Sequence, residues 1–144
     1  MTTLDHDPQT LDRSQRIKAP VLVAAGVLGA SVLLHLRDPH TSGSWGFCPW
    51  LVLTGTFCPG CGGLRAVNDL TRGDLAAAAS SNLLLVSSIP LLVYFWGRWF
   101  GDRWRGVVRV ANTRRAWVLC GVLLAAAVAF SVVRNVPATG WLAP

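Results

Sequence analysis

The chain has 144 residues, room for one domain, and 52% of it is hydrophobic against 14% charged, well under the roughly 25% charge of a soluble domain. It contains no glutamate and carries a net charge of +6. The basic residues flank apolar runs and do not alternate with aromatics in the manner of a base-stacking surface, which sets nucleic acid aside and favours a membrane protein.

Met1 to Arg16 is polar, and residues 1–18 are expected to form a disordered cytoplasmic tail, with His6 solvated. Ala19 to Leu36 is an apolar run of 18 residues, roughly 27 Å as a helix, enough to cross a bilayer. Pro20 suits its first turn. Gly26, Gly29, Ala30 and Ser31 offer a small-residue face for close helix packing, and His35 falls at the far end. A cleavable signal peptide is the weaker reading, because no A-x-A site follows.

Arg37 to Gly46 reads as a polar loop. Pro49 to Phe57, broken by Gly55, is too short to span and is expected to dip into the interface or pack on the other helices. Cys58-Pro59-Gly60-Cys61-Gly62-Gly63 is a tight turn. Leu64 to Thr71 follows as a short amphipathic helix, with Leu64, Val67 and Leu70 on one side and Arg65, Asn68, Asp69 and Arg72 on the other. Arg65 and Asp69 are spaced for an i,i+4 ion pair. Gly73 suits a helix C′ position and Asp74 the next N-cap.

Leu75 to Phe100 is the second long helix, crossing at 83–100. Pro90 is expected to kink it, with Ser87 satisfying the freed carbonyl. Tyr94, Trp96, Trp99 and Trp104 make an aromatic belt. After a basic loop, Trp117 to Val133 is the third span, ending at Arg134, expected to snorkel to the headgroups. Arg13, Arg16 and Lys18, with Arg98, Arg103, Arg105, Arg109, Arg114 and Arg115, face Arg37, Arg65, Arg72 and Arg134 across the bilayer. Nine against four places the N-terminus in the cytoplasm and the cysteine segment and C-terminus outside.

Cys48, Cys58 and Cys61 lie within fourteen residues on that outer side, while Cys120 sits in the third span near the other face and reads as a small buried apolar residue. Three readings stay open for the trio. Cys58 and Cys61 form a C-x-x-C pair near a helix start, with Arg65 close by, which suits thiol–disulfide exchange. C-P-x-C-G also resembles a zinc knuckle, for which three thiolates need a fourth ligand. His40 is the nearest candidate, ahead of His35 and Asp38. The favoured reading is structural, a disulfide from Cys48 to Cys58 or Cys61 that staples the loop. Haem attachment is excluded because Gly62 stands where its histidine belongs. No catalytic set of residues is evident, and Asn82 reads as a polar contact between helices.

The pattern formed by Cys48, Pro49, Thr54, Gly55, Cys58, Pro59, Gly60, Cys61, Gly62, Arg65, Ala66, Leu70, Gly73, Asp74 and Asn82 resembles the small bacterial membrane proteins grouped as domain of unknown function family 2752. The resemblance covers about 46–95. It departs where the family has Asn-Pro and this chain has Asn82-Leu83. It implies a membrane protein with a cysteine-rich outer segment and supplies no reaction.

The sequence therefore predicts an all-α membrane protein of three spans, about 19–36, 83–100 and 117–133, with a short re-entrant or interfacial cysteine segment at 46–74, all in one domain over 19–144. The expected setting is a bacterial plasma membrane. The expected role is a structural or partner-binding component, with thiol–disulfide or zinc-type metal binding through Cys58 and Cys61 as the alternative. A membrane protein partner or self-association fits so small a bundle.

Overall fold

The structure is a computed structural model that describes residues 12–41, 43–45, 48–109 and 112–137. Among these residues it is all helical: α1 (Arg13–Leu36), α2 (Pro49–Thr54), α3 (Gly63–Thr71), α4 (Leu75–Arg105) and α5 (Thr113–Arg134). Helices α1, α4 and α5 are long and apolar enough to cross a membrane, the arrangement of a multi-pass membrane protein. The end of the expected N-terminal tail is helical, since α1 starts at Arg13; residues 1–11 lie outside the described residues.

Helices α1 and α4 run antiparallel. At one end the Arg13 guanidinium lies 4.9 Å over the Trp104 ring, and the Arg16 guanidinium packs against Gly106, just beyond α4. One turn further in, Trp96 Nε1 donates to the Pro20 carbonyl at 3.1 Å. At the other end α3 fills the space between them, and α1, α3 and α4 pack on one another. The packing does not use the small-residue face of α1. A Cβ placed on Gly26 or Gly29 would meet nothing within 4 Å, so that face looks outward and Ser31 bonds back to the Val27 carbonyl.

The α3–α4 corner is set by Gly73, which ends α3 at φ +80°. The Gly73 amide bonds the Leu70 carbonyl and the Asp74 amide bonds the Asp69 carbonyl, the two bonds of a Schellman motif. Asp74 then caps α4, its Oδ1 accepting from the Ala77 amide at 2.8 Å. Both expectations for this corner hold.

Helix α3 departs from the expected amphipathicity. Asn68 and Asp69, from the polar side, are buried, Leu64 is exposed, and Val67 and Leu70 are half-buried. The reason is hydrogen bonding rather than hydrophobicity. Asn68 Nδ2 donates to the Leu34 carbonyl at 2.6 Å. Thr71 Oγ1 donates to the Asn68 carbonyl, which leaves it to accept from His35 Nδ1 at 2.9 Å. Asp69 does not pair with Arg65: its two oxygens accept from His40 Nε2 at 2.8 Å and from Ser81 Oγ at 2.9 Å. A segment set among apolar spans gains by turning polar groups inward, where they answer each other, and apolar groups outward.

Helix α4 breaks at Asn82 (φ −159°, ψ 91°), a break not anticipated from the sequence, and Pro90 lies inside its longer half. Asn82 Oδ1 accepts from the Leu85 amide at 2.9 Å, an N-cap for the longer half of the helix. Asparagine thus starts this half-helix without a following proline. Ser87 donates to the Leu84 carbonyl, not to the carbonyl that Pro90 frees.

The left-handed backbone at Gly73 makes a stability prediction. Gly73→Ala should lower stability by about 1–2 kcal/mol through the steric cost of a Cβ in that region, whereas Gly29→Ala, in open space within a helix, should leave it unchanged or raise it. Thermal unfolding of both variants in uncharged detergent checks this; equal melting would remove the argument for the corner.

Candidate functional site

The cysteine segment lies at the α3 end of the bundle. Cys48 is the N-cap of α2, and Pro49 follows at the first helical position, where a missing N–H costs nothing. Gly55, at φ 69°, ends α2 after six residues and returns the chain toward its start. Cys58 and Cys61 bracket a turn closed by the Cys61 amide on the Cys58 carbonyl at 3.1 Å. Gly62 follows at φ 76° as the N-cap of α3, a conformation that a side chain at this position would oppose.

This local geometry brings the three sulfurs together. Cys58 and Cys61 Sγ are 3.2 Å apart, Cys61 and Cys48 3.6 Å, and Cys48 and Cys58 4.0 Å. All three are free thiols. Among the described residues they are the group able to hold a metal ion, and His40 is not part of it. Considered as a fourth ligand, His40 instead donates its Nε2 to Asp69. Cys120 lies on α5, fourteen residues before Arg134, about 21 Å along the helix, and it is exposed rather than buried.

The turn is held from behind by residues distant in sequence. Asn82 Nδ2 donates to the Pro59 carbonyl at 2.9 Å and the Cys61 carbonyl at 3.0 Å. Arg134 does not snorkel outward. It is 1% exposed, and its Nη1 donates to the carbonyls of Cys58 and Cys61, each at 3.1 Å. Its guanidinium also lies over the rings of Phe57 and Phe130. Asn135 and the Phe57 backbone form a reciprocal amide pair, N–H to Oδ1 at 2.8 Å and Nδ2 to carbonyl at 2.9 Å. Ser131 Oγ donates to the same Phe57 carbonyl. The sequence reading missed Ser131, Arg134 and Asn135 as site residues; the one signal available was a charge closing an apolar run.

The thiols are not equivalent. The Leu51 amide at the start of α2, with the Cys61 thiol next in effect, holds the Cys48 thiol below its usual value. Burial, reinforced by the hydrogen bond with Cys58, pushes the Cys61 thiol up to about 12. Cys61 therefore ionises after Cys48 in the metal-free protein. Its raised value stabilises the fold fully below the ordinary thiol value of 9.0, and that contribution is lost as pH rises toward about 12.

Two outcomes are expected. Maleimide or iodoacetamide should modify Cys48 at lower pH than Cys61, read by peptide mass spectrometry across pH 6–10 on metal-free protein; the reverse order would contradict the electrostatics. Asn82→Ala should destabilise the protein by about 1–3 kcal/mol, since it uncaps one amide and strips donors from two carbonyls. Ser87→Ala on the exposed side of the same helix should change stability by under about 0.5 kcal/mol. Thermal unfolding compares the two.

The family described as "Protein of unknown function (DUF2752)" matches residues 48–96. No curated protein and no solved structure gives a significant match. The matched segment runs from Cys48 through the C-P-G-C turn, α3 and Asn82 into the second span, while the α5 side chains that hold the turn lie beyond it. Over residues 48–96 the chain matches the DUF2752 family that its cysteine hallmark resembles.

Proposed function

We propose that this chain is a membrane metal-binding protein in which Cys48, Cys58 and Cys61 hold a zinc-type ion at the end where α3 packs on α1 and α4. The observation that carries the reading is the sulfur triangle, with sides of 3.2, 3.6 and 4.0 Å. Tetrahedral zinc with Zn–S near 2.3 Å requires sulfurs about 3.8 Å apart, so the side chains need little movement to bind. A disulfide would draw two sulfurs to about 2.05 Å and leave the third aside. A divalent ion with three thiolates keeps one negative charge. The buried Arg134 guanidinium, bonded to two carbonyls of the same turn, supplies a positive charge close by.

The ion would tie the start of α2 to the turn before α3, which unites metal binding with the structural role read from the sequence. The surplus of basic residues at the Arg13–Arg16 and Arg98–Arg115 end supports a cytoplasmic N-terminus and an outward-facing metal site in a bacterial plasma membrane.

Protein purified in uncharged detergent from zinc-supplemented cells should carry about one zinc per chain by elemental analysis. Cys48→Ser, Cys58→Ser and Cys61→Ser should each lower occupancy at limiting zinc by about tenfold or more, and Cys120→Ser should not. Purified protein that neither retains nor takes up metal, or equal loss in Cys120→Ser, would reject the reading.

A further inference from the structure

The three sulfurs lie within 4.8 Å of one another. They line one side of a cleft of about 580 Å³, whose other walls include Trp45, Leu51, Phe57, Leu64 and Arg65. Among the described residues, three protein donors and an open approach describe a site that keeps one coordination position for an exogenous ligand, in contrast to structural zinc sites, which take four protein donors. Arg65 gives that position a chemical preference. It stands on the first turn of α3. The expected partner, Asp69, is taken by His40 and Ser81, and among the described residues the Arg65 guanidinium makes neither a hydrogen bond nor an ion pair. Arg65 lines the cleft, and a guanidinium fork without a partner among the described residues suits a carboxylate or phosphate. The surrounding walls are apolar, and Leu64 and Trp45 are exposed, so the same ligand gains by carrying an apolar chain.

We infer that the cleft binds an amphiphilic oxyanion, a carboxylate or phosphate headgroup on an apolar chain, with the headgroup shared between the thiolate-bound metal and Arg65 and the chain along Trp45, Leu51 and Leu64. This rests on the metal reading above and adds the ligand class. Arg134 and Arg65 then divide the electrostatics. Arg134 offsets charge from behind the turn through the backbone, and Arg65 meets the incoming anion in front.

Cobalt separates the two claims, because its thiolate charge-transfer bands report metal binding and its d–d bands report the fourth ligand. Cobalt-loaded protein in uncharged detergent would be titrated with acetate, octanoate, inorganic phosphate and dodecyl phosphate. The expected result is a saturable d–d shift at much lower concentration for octanoate than for acetate, and for dodecyl phosphate than for inorganic phosphate. Arg65→Ala should weaken both long-chain ligands by about tenfold or more, with unchanged cobalt affinity. Arg65→Lys should fall between, as a charge without the fork. Equal titrations of chain-bearing and chainless anions would overturn the apolar part. Long-chain anions that leave the d–d bands still, or that bind Arg65→Ala as they bind wild type, would overturn the inference while the charge-transfer bands leave the metal reading standing. Absence of those bands would reject both. If inorganic phosphate alone binds tightly, the ligand is free phosphate and the amphiphile is rejected.

Discussion

Backbone carbonyls that sit among apolar helices must find donors, because no solvent is at hand to supply them. The turn between α2 and α3 presents four, at Phe57, Cys58, Pro59 and Cys61, and each is met by a side chain from α4 or α5. The rest of the architecture follows from meeting them. Helix α4 breaks where its Asn82 turns toward the turn, and α5 ends where Arg134 and Asn135 reach it. Once those carbonyls are fixed, the positions of the sulfurs are fixed with them. The Cys61 carbonyl receives bonds from both distant side chains, so the most buried cysteine is also the most firmly held.

The inward polar face of α3 answers the same constraint. In a water-exposed helix the moment of Leu64, Val67 and Leu70 would point to a core. Here the buried Asn68 donates to the Leu34 carbonyl and the buried Asp69 accepts from Ser81, while Leu64 is exposed and Val67 and Leu70 are half-buried. Asp69 commits one carboxylate oxygen to His40 and the other to Ser81, which makes the α3–α4 corner sensitive to small backbone changes.

Much of the fold was legible locally. Three long apolar runs gave three long helices, and Gly73-Asp74 gave a Schellman stop and an N-cap, because these signals act over a few residues. The sulfur cluster was legible as a clustering of cysteines but not as a triangle. Its shape depends on α2 folding back at Gly55 and on a clamp whose donors lie more than seventy residues later. The break at Asn82 was hidden for a related reason. A proline in a helix is a local argument, whereas Asn82 breaks the helix for the sake of a partner 21 to 23 residues upstream. The small-residue face of α1 misled as well, since composition says that a close approach is permitted and not that any helix makes one.

Helix α5 meets the turn through its last residues alone, and its partners there precede it by 73 to 78 residues. At a synthesis rate of about 5–20 residues per second, the Cys58–Cys61 turn emerges about 4–15 s before Arg134 does. From the synthesis of Asn82 until that of Ser131, Asn82 is the one distant side-chain donor to the turn already made among the described residues. The thiols therefore reach their final spacing late in biogenesis, when the third span has been delivered, and a chain truncated before Arg134 would present three cysteines without the frame that sets them apart.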